Sequence, residues 1–347
     1  MTFQSRLNSL LLATVAGLGS PVSAQTLDVP AKTLAVPDTV SPQIQKLIGA
    51  PLRTGWNVLP KTGEEWKPIV EAGAAATLKN LPGLRERMKV KVENTTIDGV
   101  RAFIVTPEKL SPNNRNRVLI HMHGGCSVLS PGEAGLPEAV MMAGLGGFKV
   151  ISVDYRMPPD AYFPAALDDG VTVYKATLKK TPAKNIAIFG TSAGGALTLE
   201  MVLKAKQLGL AMPAAIAPGT PMSDVTKVGD TFYTNEMVDN VLVSRDGFCD
   251  AAAKVYAAGH DMKDPLLSPV YGDMKGFPPT ILTSGTRDLL LSNTVRVHRK
   301  LRQAGVEAVL QVYEGQSHAH YLRDDTAPET KEVFAEISGF FNKHMGN

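Results

Sequence analysis

The chain is 347 residues long, 44% hydrophobic and 20% charged, with a formal net charge of +3. That composition supplies a sizeable core and excludes disordered and collagen-like classes, while a charge so near balance gives no argument for nucleic acid as a partner. Two cysteines, Cys126 and Cys249, are too few for a disulfide scaffold and lack zinc-site spacing, so no metal or other cofactor is expected; one disulfide and two free thiols both stay open.

Residues 1–24 read as a secretory signal: Arg6, a short apolar run over 7–19, then Val22-Ser23-Ala24 as a cleavage site. Cleavage would remove one positive charge, and no cysteine follows the run to take a lipid anchor. A secreted or periplasmic address is expected. The run is shorter than the roughly 20 apolar residues a bilayer requires, and no later stretch reads as a membrane span. Residues 25–85 form an arm and a cap segment, with helical stretches at 42–48 and 64–81. Alternation over 88–95 and 100–105 around Asp98-Gly99 predicts a β-hairpin, because this dipeptide tolerates positive φ in a tight turn.

From there the texture changes. Short apolar runs at 118–121, 150–153, 186–189, 214–217, 280–283 and 308–312 suit strands buried on both faces. Helical segments at 133–145, 165–179, 193–208, 291–303 and 329–343 fall between or after them. The alternation predicts βαβ units and a mostly parallel sheet covered on both faces, with the hairpin at one edge. Residues 86–347 make this domain. One interval, 221–279, has no convincing strand; it carries a polar stretch over 224–240 and a helix near 246–258, and an insertion there would form a cap over a pocket.

The run at 186–189 leads into Gly190-Thr191-Ser192-Ala193-Gly194-Gly195 and then directly into a helix. A GxSxG motif between a buried strand and a helix has the setting of a nucleophile elbow, with Ser192 strained and exposed and small neighbours letting helix and strand meet. Upstream, the run at 118–121 ends in His123-Gly124-Gly125-Cys126, where backbone N–H groups can converge on one point. Gly124, Gly125, Cys126 and Ala193 are the candidates for an oxyanion hole. The acid and base should follow in the order Ser, Asp or Glu, then His. Asp288 follows the run at 280–283 and His318 follows the last one, so both loops lie at the sheet's carboxyl end. Asp288 could instead cap the helix at 291. His320 and Glu314 are the rivals; His121, His260 and His298 read as structural or surface residues.

These blocks resemble the hormone-sensitive-lipase family of esterases, within the α/β-hydrolase superfamily. His123-Gly124-Gly125 resembles its HGGG block, Asp154-Tyr155-Arg156 with Phe163-Pro164-Ala165-Ala166 its DYR and FPAA stretches, and Gly190 to Gly195 its GDSAGG. Asp264-Pro265-Leu266-Leu267-Ser268-Pro269, Gly285 to Leu289 and Tyr313 to His318 resemble the blocks that hold its acid and histidine. The resemblance implies an α/β-hydrolase fold with a helical cap, and a triad of Ser192, Asp288 and His318. It also implies oxyanion donors at Gly125, Cys126 and Ala193. Two positions depart: Cys126 stands for the third glycine, and Thr191 for the acidic residue before the nucleophile. Cys126 can still donate through its N–H if its φ stays in a region open to L-residues, and its side chain would then occupy space near the acyl pocket.

The expected activity is cofactor-free hydrolysis of a small-molecule carboxylic ester of short or medium chain, through an acyl-enzyme. A lactonase would use the same residues on a cyclic ester. An amidase, or a non-catalytic small-molecule receptor that kept the fold, are the further alternatives.

Overall fold

The computed structural model describes residues 27 and 29–346. The expected export signal, residues 1–24, lies outside the described residues. Those before Val36 form no helix or strand.

The hairpin forms as its sequence demands. Strands β1 (Val90–Ile97) and β2 (Val100–Pro107) pair antiparallel, and Asp98 and Gly99 between them take φ values of 46° and 89°. Positive φ at both turn positions matches the right-handed twist of the flanking strands. Six more strands follow: β3 (Val118–Met122), β4 (Lys149–Val153), β5 (Ile186–Thr191), β6 (Ala215–Gly219), β7 (Thr280–Gly285) and β8 (Ala308–Tyr313). They complete an eight-stranded sheet in the order β1-β2-β4-β3-β5-β6-β7-β8, parallel from β4 to β8.

Side-chain alternation along each strand builds two cores. Ile120 and Met122 of β3, Ile188 of β5 and Leu282 of β7 face one side, where helices α4 (Ala165–Leu178), α5 (Ala193–Gln207) and α8 (Leu291–Gln303) cover them. Leu119, Phe189 and Ile281 face the other, against α2 (Gly63–Met88), α3 (Pro137–Gly146) and α9 (Pro328–His344). Burial on both faces is what the unbroken apolar runs encode. The last run differs: β8 is the sheet's edge, and Val309 and Val312 on it are exposed. Continuous apolarity there marks a strand with one side covered.

Helix α1 (Pro42–Ile48) has the predicted bounds, capped by the Ser41 hydroxyl accepting from Ile44 N–H. Helix α2 runs to Met88, past Pro82, well beyond the predicted end at residue 81. Pro82 removes one backbone donor, but Leu81 and Leu84 on either side are buried against the α3 layer, and that burial carries the helix through. The predicted helix at 133–145 begins as a 3-10 turn, and regular helix starts only at Pro137, where the ring's fixed φ suits a first turn. The interval between β6 and β7 holds α6 (Thr231–Thr234), α7 (Phe248–Ala257) and no strand.

Strand order reverses at β3: the chain moves from β3 outward to β4, then returns to β5 on β3's other side. Ligands of open α/β sheets bind outside the strand carboxyl ends at such a switch point. Here those ends carry His123 to Cys126 and Ser192.

The open choice for the cysteines is resolved as a bond: Cys126, after β3, is disulfide-linked to Cys249 on α7. It closes a loop of 123 residues and ties the 221–279 insertion to the end of the central sheet. Cross-links over such loops contribute roughly 2–4 kcal/mol. The Cys126→Ser/Cys249→Ser protein should therefore unfold at markedly lower urea concentration than the oxidised protein, and adding a thiol reductant should shift only the latter; coincident curves would mean the link contributes nothing.

Candidate active site

Ser192 is the residue between β5 and α5. Its φ of 64° and ψ of −121° lie outside the regions that L-residues populate freely, so the turn is strained. Neighbouring structure holds it: Ser192 N–H donates to Gly219 O at 2.9 Å, and Ser192 O accepts from Met222 N–H at 3.0 Å. A Cβ on Gly194 would sit 1.9 Å from Met122 O, so only glycine lets the first turn of α5 lie this close to the end of β3.

On the β3 side, Gly125 has φ of 122° and Cys126 of 52°. The first is open to glycine alone; the second is the small left-handed region, at a cost that Cys126 bears where a glycine would not. Gly124, Gly125 and Cys126 line the main cavity together with Ser192 and His318. Ala193 is buried at the first position of α5, beside a second, water-sized cavity that it shares with Ser127. No backbone N–H of these four residues donates to a protein acceptor among the described residues. The Cys126 side chain is tied to α7 through its disulfide, and Cys126 remains on the cavity wall.

The neighbouring loops are braced. Tyr155 Oη donates to His123 O at 2.7 Å and its ring stacks on the His123 ring at 4.1 Å; Asp154 accepts from Gly132 N–H at 2.8 Å. Those are the roles of the Asp154-Tyr155-Arg156 block. Thr191 donates to Glu138 on α3 at 2.7 Å and lies 2.8 Å from Tyr321 Oη, so it joins the elbow to the loop after β8.

Asp288 is fully buried after β7. Its Oδ1 accepts from His318 Nδ1 at 3.1 Å and from Leu290 N–H at 2.8 Å; its Oδ2 accepts from Ser284 Oγ at 3.1 Å and from Thr220 Oγ1. Asp288 is not the cap of α8, whose N-cap Leu290 has no side-chain cap; its carboxylate instead braces the preceding turn through Leu290 N–H and pairs with His318. With Nδ1 donating to Asp288, His318 keeps a lone pair on Nε2. No hydrogen bond reaches the Ser192 hydroxyl among the described residues; Ser192 and His318 meet as walls of one cavity of about 1060 Å³.

The rivals have other work. His320 Nδ1 accepts from Ser317 N–H at 3.2 Å and its Nε2 donates to Asn240 Oδ1 at 3.0 Å, with burial holding its pKa down to about 4. Glu314 is exposed and accepts from Thr39 at 3.1 Å. His121 is buried between Ser152 and Glu138, while His260 and His298 contact backbone carbonyls.

Asp239 and Asn240, in the insertion, were not foreseen. Asp239 Oδ2 accepts from Leu289 N–H at 2.8 Å and His318 N–H at 3.3 Å, while Oδ1 accepts from Val241 and Leu242 N–H at 2.8 and 3.1 Å. One buried carboxylate therefore clamps both loops that carry Asp288 and His318. Burial, with Asp288 nearby, raises its pKa to about 6. Asn240 Nδ2 holds the carbonyls of Leu47 and Ala50, joining the end of α1 to His320. The available signal was an Asp-Asn pair set between Val238 and Val241-Leu242-Val243, since polar side chains in an apolar run are buried only with partners.

The arrangement suits nucleophilic acyl chemistry. Among the described residues no group of three or more His, Cys, Asp or Glu could hold a metal, and no helix is long and apolar enough to cross a membrane.

Known proteins agree with this architecture. A family described by its alpha/beta hydrolase fold matches residues 119–322. The crystal structure of an esterase, E25, is similar with a TM-score of 0.89 and 42% identity, covering 92% of this chain and 99% of that one. An esterase from the bacterial hormone-sensitive lipase family matches with a TM-score of 0.71 and 25% identity over 88% of this chain and 99% of its own. An esterase of Acinetobacter venetianus is 29% identical over 255 residues, 72% of this chain and 82% of that protein. An acetyl-hydrolase of Streptomyces hygroscopicus is 26% identical over 238 residues, 68% of this chain and 79% of that one. The chain belongs to the alpha/beta hydrolase fold family and, within it, to the hormone-sensitive-lipase group of esterases. It is an ester hydrolase of the carboxylesterase type.

His123, like His320, is buried and has its pKa lowered to about 4. The unfolded chain therefore binds two more protons on these rings than the native one between pH 4 and about 6.5, and stability falls as pH drops through that window, by roughly 3 kcal/mol per ring. Asp239, with its pKa raised to about 6, acts in the opposite direction and offsets roughly one ring. Urea unfolding at pH 7 and pH 4.5 should show a loss of roughly 2–3 kcal/mol for the native sequence, mostly abolished in His320→Gln; equal stability at both pH values would contradict the neutral buried rings.

Proposed function

We propose that the protein hydrolyses short- and medium-chain carboxylic esters through an acyl-enzyme formed on Ser192. The carrying observation is a serine held at the head of α5 on the same cavity as a histidine whose Nδ1 is taken by a buried carboxylate. His318 Nε2 removes the proton from Ser192 Oγ as the oxygen attacks the ester carbonyl carbon. The resulting oxyanion is held by the N–H groups of Gly124, Gly125, Cys126 and Ala193, each such donor being worth roughly a hundred- to a thousand-fold in rate. Collapse breaks the acyl–oxygen bond, and His318 returns the proton to the departing alcohol. Water, activated by His318, then attacks the acyl-enzyme and releases the carboxylic acid and Ser192. Asp288 fixes the ring and stabilises its protonated form.

Naming of relatives as acetyl-hydrolases supports a short acyl group. Export to the periplasm or medium is part of the same proposal, resting on the signal at residues 1–24; the exported protein should then begin at Gln25 on N-terminal sequencing.

Ser192→Ala should lower kcat on 4-nitrophenyl acetate at least about 10⁴-fold and abolish labelling by a fluorophosphonate; retained labelling would remove Ser192 from the mechanism. Across acyl lengths, kcat/KM should peak at four carbons or fewer, about tenfold above a ten-carbon chain. All four Asp239 bonds are accepted from backbone N–H, so an amide in its place sets N–H against N–H at Leu289 and His318 or at Val241 and Leu242, and Asp239→Asn should lower kcat about tenfold with little change in KM. An unchanged kcat would show the clamp to be dispensable.

A further inference from the structure

Among the cations on the cavity wall that the mechanism does not use, two arginines stand near one another. Arg53 lies in the connection between α1 and α2, and Arg323 follows His318 in the same loop. Arg87, also on this wall, is neutralised by two hydrogen bonds of 2.8 Å to Asp325. Arg53 and Arg323 have no side-chain hydrogen bond or ion pair among the described residues. The carboxylate that acts on Arg323 is Asp239, whose oxygens already accept four backbone N–H bonds.

Arg53 is nonetheless held in place. Its guanidinium carbon lies 3.9 Å over the Phe248 ring, and its backbone N–H donates to Asn240 O at 2.9 Å. Stacking on a ring occupies the guanidinium face and leaves the edge donors available. Arg53 has its pKa lowered by burial and by Arg323, so the two charges feel one another. Like charges near one another repel, and an anion between them relieves the repulsion beyond what Asp239 supplies to Arg323.

Which end of the substrate meets them follows from the chemistry. His318 must deliver its proton to the departing oxygen, so the alcohol portion of the ester lies on the His318 side. Both arginines are tied to the loop that carries His318, Arg323 by chain and Arg53 through Asn240, which hydrogen-bonds His320. We propose that Arg53 and Arg323 bind a carboxylate carried by the alcohol portion, making the preferred substrates O-acylated hydroxy acids. This rests on the Ser192–His318 reading above and adds the substrate class. Hydrolysis of the acyl–oxygen bond then yields a carboxylic acid and a free hydroxy acid.

The test compares 4-acetoxybenzoate with 4-acetoxybenzamide, which share acyl group and ring and differ in the leaving group's charge, each rate normalised to its hydroxide-catalysed value. Monophenyl succinate places the charge on the acyl side instead. The wild-type enzyme should favour the benzoate over the benzamide about tenfold in kcat/KM at low salt, mainly through KM, with the preference shrinking at high salt. In Arg53→Gln and in Arg323→Gln the ratio should fall towards one. In Lys79→Gln, which removes another cation from the cavity wall, it should hold within about twofold. A wild-type ratio near one, an unchanged ratio in both arginine variants, an equal fall in Lys79→Gln, or a preference for monophenyl succinate would each overturn the assignment. Absent turnover of both esters would instead count against the Ser192 mechanism, so the two failures are distinguishable.

Discussion

The approach of the Met122 carbonyl to the first turn of α5 is the constraint on which the rest depends. Gly194 has no room for a side chain there, and the contact sets how far the β3 loop can lie from Ser192. Because β3 and β5 are neighbours in a sheet buried on both faces, the spacing is inherited from ladder hydrogen bonds and cannot drift. The strain at Ser192 persists for the same reason. Its N–H and carbonyl are bonded to Gly219 and Met222, so relaxing the turn would break the seam between β5 and β6.

The second half of the site is held differently. Asp288 and His318 stand on loops after β7 and β8, toward the sheet edge, and a carboxylate from the insertion braces both. Asp239 accepts one N–H from each loop, and Asn240 fixes His320 and the end of α1. The insertion therefore does more than cover a cavity. It adds polar bonds to those the two loops already make with each other, Thr286 N–H to Tyr313 O and Arg287 N–H to Gln316 O at 3.0 Å and Gly315 N–H to Thr286 Oγ1 at 2.8 Å.

That division explains what could be read from the sequence. Ser192, the glycines and the strand-to-helix turn are encoded within a few residues, because a close backbone approach leaves small residues in a row. Asp288 and His318 were legible through their place after apolar runs. Asp239, Asn240, Arg53 and Arg323 were not, since they reach the site through segments with no period of two or of 3.6 residues, where position follows from tertiary contacts alone. The Cys126–Cys249 bond was undecidable for a similar reason: two cysteines separated by 123 residues pair only if the folded chain brings them together. At β8 and α2 the pattern was read correctly as to type. Its error lay in exposure and extent, which depend on which neighbours cover an element and not on its own residues.

The disulfide joins these two kinds of order. The HGGG block that this stretch resembles has a glycine where Cys126 stands, and a glycine reaches φ near 52° without the penalty of roughly 1–2 kcal/mol that an L-residue bears. Here the side chain that creates the penalty also anchors the loop, through Cys249, to α7. The residue before Cys249 is Phe248, whose ring supports Arg53. A continuous path thus runs from the loop after β3, across one covalent bond and one stacked ring, to Arg53. Conformational freedom in that loop has been exchanged for a fixed link between the cavity wall at Cys126 and the cavity wall at Arg53.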